Sequence, residues 1–203
     1  MSRLLVAAAL ALATVAVAQP APSVSHDPRS VAAGIYAVEP THTRIQFTVS
    51  HLGFTDWYGD FTHAAGSLRL DPANLQASRV EIEVPVDSVS TTNATLDGEL
   101  KGADWFDAAR FPTMRFVSTG ITRTGPDRAL IAGDLTLHGV TRPVTLAASF
   151  NGAGMNPLSK TFTIGFNAAT TIRRSDFGVS KYVPLVGDSV AIRISAAFER
   201  KPG

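Results

Sequence analysis

The feature that most limits how this chain can fold is period two. Residues 44–50 read Arg-Ile-Gln-Phe-Thr-Val-Ser, so Ile45, Phe47 and Val49 share one face and polar residues the other. Val80, Ile82, Val84 and Val86 alternate with Glu81 and Glu83, and Phe162, Ile164 and Phe166 with Thr163 and Gly165. Val190, Ile192, Ile194, Ala196 and Phe198 form the last such run, and noisier ones occupy 57–70, 113–124, 129–138 and 143–150. Successive side chains on a strand point to opposite faces, so each run reads as a strand with one dry and one wet side. Antiparallel sheets have this pattern. Turn residues fall between the runs, as in Asp71-Pro72-Ala73-Asn74 and His138-Gly139-Val140-Thr141.

Only Thr92 to Ala109 escapes the pattern. Residues 93–100 suit a short helix, and 104–109 suit a second helical turn stopped before Phe111-Pro112. The expected fold is all-β: an eight-stranded antiparallel barrel with a short helical insert around 92–109. Several runs are longer than the usual strand of about 5–6 residues, which favours tilted barrel strands. Closure also removes unpaired edges. A membrane barrel would alternate too, with girdles of aromatic residues at both interfaces. Two tryptophans and three tyrosines are few for that purpose.

The N-terminus has a different character. Arg3 precedes an almost wholly apolar run, Leu4 to Val17, and Ala16-Val17-Ala18 places small residues where a signal peptidase reads them. The run is short for a membrane span of about 20 residues. Residues 1–18 are therefore expected to be a cleaved secretory signal peptide, with the mature chain starting at Gln19 in the periplasm. Residues 19–33, rich in Pro, Ser and Ala, read as a flexible leader, and 34–200 as the barrel domain. No integral membrane span is expected in the mature chain.

Composition removes several chemistries. With no cysteine there is no disulfide, thiolate nucleophile or iron–sulfur site. A formal charge of +1 gives no basic stripe for nucleic acid. His42 and His51 are nine apart, which on a regular strand puts them on opposite faces, so no metal site and no cofactor are expected. No Gly-x-Ser-x-Gly elbow is present, and no catalytic residue is assigned. The unusual cluster is Thr171-Ile172-Arg173-Arg174-Ser175-Asp176-Phe177-Gly178. Adjacent arginines on a strand face opposite ways, so one of them points inward. An arginine fork suits a phosphate or carboxylate head group; alternatively an Arg173–Asp176 pair fixes the loop.

These pieces occur in an order that resembles the YceI-like family of exported polyisoprenoid-binding proteins. Tyr36-x-x-Glu39-Pro40-x-His42-Thr43 is followed by Phe47-x-Val49-x-His51-Leu52-Gly53 and Gly59-x-Phe61. Trp105-Phe106-Asp107, Phe111-Pro112 and Phe116-x-Ser118 come next, then Gly133 to Val144 and Ile172-Arg173-x-x-Asp176-Phe177-Gly178. The resemblance implies a lipocalin-like barrel around one long apolar chain, a polyprenyl phosphate or an isoprenoid quinone. It implies a carrier rather than an enzyme. The lumen is expected to be lined by Ile45, Phe47, Val49, Phe61, Leu68, Phe116, Leu135, Phe162, Ile164 and Phe166, with Trp105 and Phe106 at an entrance. Small residues at Gly59, Gly133, Gly165 and Ala168 are expected to leave room. His42, His51, Arg173 and Asp176 are the candidates for a head group. The competing expectation is an enzyme acting on a lipid or quinone head group through His42, His51 or Arg173. A dimer is the assembly the reading would accommodate.

Overall fold

The computed structural model describes residues 24–202. The expected signal peptide, Met1–Ala18, and the first residues of the leader lie outside them. One 10-stranded sheet contains β1 (Gly34–His51), β2 (Thr55–Phe61), β3 (Ala65–Leu70), β4 (Arg79–Pro85), β5 (Val89–Ser90), β6 (Thr113–Arg123), β7 (Arg128–Leu137), β8 (Val140–Met155), β9 (Phe162–Arg173) and β10 (Val186–Arg200). α1 spans Ala94–Lys101.

Every pairing is antiparallel, and the sheet closes because β10 pairs with β1. On its other side β1 meets two partners: residues 45–51 pair with β2, and 34–37 with β3. β2 and β3 are thus two halves of one interrupted strand. β5 and β4 continue the next one in the same way. Counted so, the wall is the expected closed eight-stranded barrel. β1, β8 and β10 run 18, 16 and 15 residues, the long strands that a tilted barrel needs. The hairpin turns at Leu52-Gly53 and His138-Gly139 have positive φ at both residues. At His138-Gly139, between the paired Leu137 and Val140, that is the two-residue turn whose twist matches the flanking strands, whereas the β1–β2 connection also takes in Phe54.

The insert follows β5 at one end of the barrel. The Asn93 side chain caps α1 by accepting from the Thr95 and Leu96 N–H groups. Residues 104–109, expected as a second helical turn, form a run of hydrogen-bonded turns: Trp105 and Asp107 both donate to the Gly102 carbonyl and Phe106 to that of Leu100. Asp107 has φ of 47°, which a helix does not allow.

The opposite end is crossed by the leader. Ser25 and Ala153 exchange two backbone hydrogen bonds of 2.8 and 2.9 Å, which extends the sheet beyond β7. Asp27 caps a short turn over Pro28–Ser30, Val31 is buried, and the Tyr36 hydroxyl donates to the Ala32 carbonyl. Residues 24–33, read as flexible from composition, therefore lie packed across this end as a strap. Apolar residues cluster at both ends. Phe61, Val84, Val86, Leu100, Trp105, Met114, Phe177 and Val179 pack at the insert end. Val31, Tyr36, Leu68, Val80, Phe116, Ile121, Ile164 and Phe198 pack at the strap end.

Candidate functional site

Between the two clusters runs an apolar cavity of about 330 Å³. It is as large as the smaller ligand sites of proteins, which span about 300–1,000 Å³. Strand parity explains its wall. Ile45, Phe47 and Val49 of β1, Phe61 of β2, Leu68 of β3, Phe116 of β6, Leu135 of β7 and Phe166 of β9 all line it, and Trp105 and Phe106 of the insert cover one end.

Phe162 and Ile164 do not line the cavity. Ile164 is fully buried within the strap-end cluster and Phe162 packs against that cluster. Their parity is inward, but they stand lower on the wall, where the interior is solid.

Of the small residues Ala168 lines the cavity, but the three glycines behave differently from expectation. A Cβ on Gly59 would run into the Phe47 ring, and one on Gly133 into the Phe116 ring. The space these glycines leave is taken by phenylalanines lying over them. Gly165 follows the outward parity of β9, since Phe166, Ala168, Thr170 and Ile172 are the residues that line the cavity. It therefore leaves no room inside.

The head-group candidates lie outside the lumen. His42 is exposed, and its Nδ1 is 2.6 Å from Glu39 Oε2. Burial alone would raise the Glu39 carboxyl, but hydrogen bonds from Thr41 and His42 outweigh it and hold the group below the usual range. His51 is exposed beside Trp57. The parity argument that separated these histidines assumed a regular strand, yet β1 shifts register between Glu39 and Arg44 and again between Val49 and His51. Arg173 points outward and pairs with Asp188 at 3.0 Å, not with Asp176. Asp176 contributes its backbone carbonyl, which accepts from Arg142 Nε at 3.1 Å. Among the described residues no group of three or more His, Asp or Glu side chains is placed to hold a metal ion.

The inward-facing cation is Arg174. It is 6% exposed and belongs to the cavity wall. Its Nε donates to the Gly187 carbonyl, Nη1 to Val179, and Nη2 to Lys181 and Val186, all at 2.8–2.9 Å. Its Cζ stands 5.4 Å from the centre of the Trp105 ring. Burial pushes its pKa down from the usual arginine range, and nearby Asp188 opposes the shift.

The YceI-like domain model matches residues 36–198. The chain belongs to the YceI-like family. A UPF0312 protein of Pseudomonas syringae pv. tomato is 38% identical over 141 residues, covering 70% of this chain and 73% of the relative. Among solved structures, Burkholderia cenocepacia BcnA superposes with a TM-score of 0.71 at 24% identity, over 79% of this chain and 98% of that one. A polyisoprenoid binding domain from Saccharophagus degradans, implicated in plant cell wall breakdown, gives 0.62 at 16% identity, over 82% and 98%. Both structural likenesses show the barrel fold.

Two features of this YceI-like barrel escaped the sequence. Arg174 could have been found by parity: Ile172 faces in, so Arg174, two residues on, faces in as well, and Arg173 faces out. The strap could not, because Pro28 and Val31, which also line the cavity, sit in a segment with no period. It also precedes the residues matched by the family model.

Proposed function

We propose that this protein is an exported carrier that holds an isoprenoid lipid in the barrel lumen and performs no chemistry on it. The observation that carries the reading is the apolar cavity itself, walled by alternate residues from strands all round the barrel. Each buried methylene contributes about 0.8 kcal/mol, so a long prenyl tail binds by burial alone. The isoprenoid class is supported by family membership and by the fold shared with a polyisoprenoid binding domain. Export and a periplasmic location are supported by the Arg3, Leu4–Val17 and Ala16-Val17-Ala18 series. An enzyme acting on the head group would need at least two of His42, His51 and Arg173 in one pocket, and all three face solvent.

Native mass spectrometry of protein recovered from the periplasm tests both parts. The expected result is a chain beginning at Gln19 with a prenyl-lipid adduct. A protein that carries no lipid and takes up no added prenyl ligand would overturn the carrier reading. A chain retaining Met1 on the folded, cytoplasmic protein would overturn export.

A further inference from the structure

We propose that the strap end of the barrel is a docking surface for a lipid bilayer with anionic head groups. The proposal goes beyond the carrier reading: it stands on surface charge and exposed apolar side chains, not on what the lumen holds.

The first observation is a row of like charges. Lys201, Ile35, Arg69 and Arg79 stand side by side, from the end of β10 across β1 and β3 to β4. The Lys201 N–H donates to the Ile35 carbonyl, Ile35 pairs with Arg69, and Arg69 with Arg79. The next residues along the strands, Tyr36, Leu68 and Val80, are buried, so the row faces outward, and all four of its side chains are exposed. Like charges directly opposite each other destabilise a sheet. Among the described residues, none of these three cations forms an ion pair. Nearby carboxylates are engaged elsewhere. Asp27 pairs with Arg29, Asp71 accepts from the Ala73 and Asn74 N–H groups, and Glu199 accepts from the Ser159 hydroxyl.

The second observation is independent. The β8–β9 connection at the same end holds apolar side chains out in solvent: Met155 is exposed, and Leu158 is 89% exposed. The turn is fixed in that posture. The Leu158 N–H donates to Asn156 Oδ1 and the Lys160 N–H to the Asn156 carbonyl, both at 2.9 Å. Lys160 is itself exposed and stands two residues from Leu158. An apolar tip flanked by cations is the pattern of a membrane-surface binder. Its affinity adds burial of the tip among lipid chains to attraction for anionic head groups.

The insert end is the rival, because Leu52, Phe54, Tyr182 and Leu185 are exposed there. Its charges are of another kind. Arg110 pairs with Asp107, Arg173 with Asp188 and Lys181 with Asp104. The rest lean acidic, with exposed Asp56, Glu99 and Asp176 against Lys101 and Arg142. An anionic surface is thus attracted to the strap end and not to the insert end. The cavity wall also continues to the strap-end rim, through Pro28, Pro72, Arg123 and Arg128. A bilayer docked there lies against the rim of the lumen, which favours a lipid surface over an acidic protein as the partner.

The test is co-flotation of the mature protein with vesicles free of prenyl lipid, so its outcome is separate from that of the carrier reading. Wild type should bind vesicles of phosphatidylglycerol and phosphatidylcholine, should not bind phosphatidylcholine alone, and should be released as salt rises. The double variant Arg69→Gln, Arg79→Gln should weaken binding by about tenfold or more. Leu158→Ser should weaken it severalfold, and Phe54→Ser, at the insert end, should leave it unchanged. All four positions are exposed, so the variants keep the fold. Several results would overturn the proposal: no binding to the anionic vesicles, equal binding to both compositions, or wild-type binding by the double variant or by Leu158→Ser. So would a loss on Phe54→Ser, which moves docking to the other end. Soluble polyglutamate bound as tightly as the vesicles would overturn it in favour of an acidic protein partner.

Discussion

At the strap end the barrel is closed by side chains: Tyr36 and Ile164 are fully buried, Val31 and Phe198 nearly so, and the chain crossing there adds Pro28 to the wall. At the insert end it is closed by backbone and by charge. Carbonyls of residues 179–187 gather on the Arg174 guanidinium, and the Trp105 ring lies over it. The first kind of closure is a packed core and is sensitive to volume. The second is a hydrogen-bonded cover, sensitive to polar substitutions and to what the cavity holds. A ligand with one apolar and one polar end fits between two ends of these kinds.

The largest expected effect comes from hollowing the packed end. Ile164→Ala should cost about 2–5 kcal/mol in denaturant unfolding, the range for truncating a fully buried aliphatic side chain. A loss below about 1 kcal/mol would show that this end can collapse and that the two ends do not differ as described.

The strap should separate from the barrel more cheaply. Val31 is the residue that buries it, and the barrel wall closes through β1 and β10 without it. Val31→Asp should release residues 24–33 at a cost of about 1.5–3 kcal/mol, the value of burying one such side chain. Hydrogen exchange should accelerate at Ser25 and Ala153, which bond to each other, and a bound lipid should dissociate faster. Unchanged exchange at both amides would mean that the strap is held by something other than Val31.

The insert end should respond to acid. Burial by itself would raise the Asp188 carboxyl, but hydrogen bonds from Ser175 and Arg173 outweigh it and hold the group below its ordinary value. A carboxyl depressed in the folded state binds fewer protons there than in the unfolded chain. Its contribution to stability is complete above the unfolded pKa of about 3.9 and is lost as the pH falls through the folded one. Asp188→Asn should therefore lower the Tm at pH 6 and make much less difference at pH 3. An equal drop at both pH values would remove the charge from the explanation. Arg173 and Asp188 stand partly in water, so the effect is smaller than those at the packed end.

Alternation made the fold legible, because period two states which residues face in. It does not state how high on the wall they stand. Ile164 and Phe166 share a face, yet one is core and the other lines the cavity. Reading the cavity also needed the register, which is set by pairings between distant strands. Parity was enough to choose between Arg173 and Arg174 once Ile172 was taken as inward. No periodicity marks the strap, where Val31 is the buried side chain and backbone bonds between Ser25 and Ala153 hold the rest.

The smallest expected effect is the one that separates a face from a space. Gly165 looks like a gap in the wall, but it belongs to the outer face of β9, and a Cβ built there has its nearest neighbours at 3.7 and 3.9 Å, ordinary contacts with Asn151 and Gly152. Gly165→Leu should change stability by no more than about 0.5 kcal/mol, the usual range for surface positions, and leave lipid content unchanged. Gly59 is the contrasting position. Any side chain there meets the Phe47 ring, which must swing into the lumen, so Gly59→Leu should displace ligand and cost about 1–3 kcal/mol by overpacking. Measuring co-purifying lipid and unfolding free energy for the pair decides the point. If Gly165→Leu empties the barrel and Gly59→Leu does not, the inward and outward faces of β9 and β2 have been assigned the wrong way round.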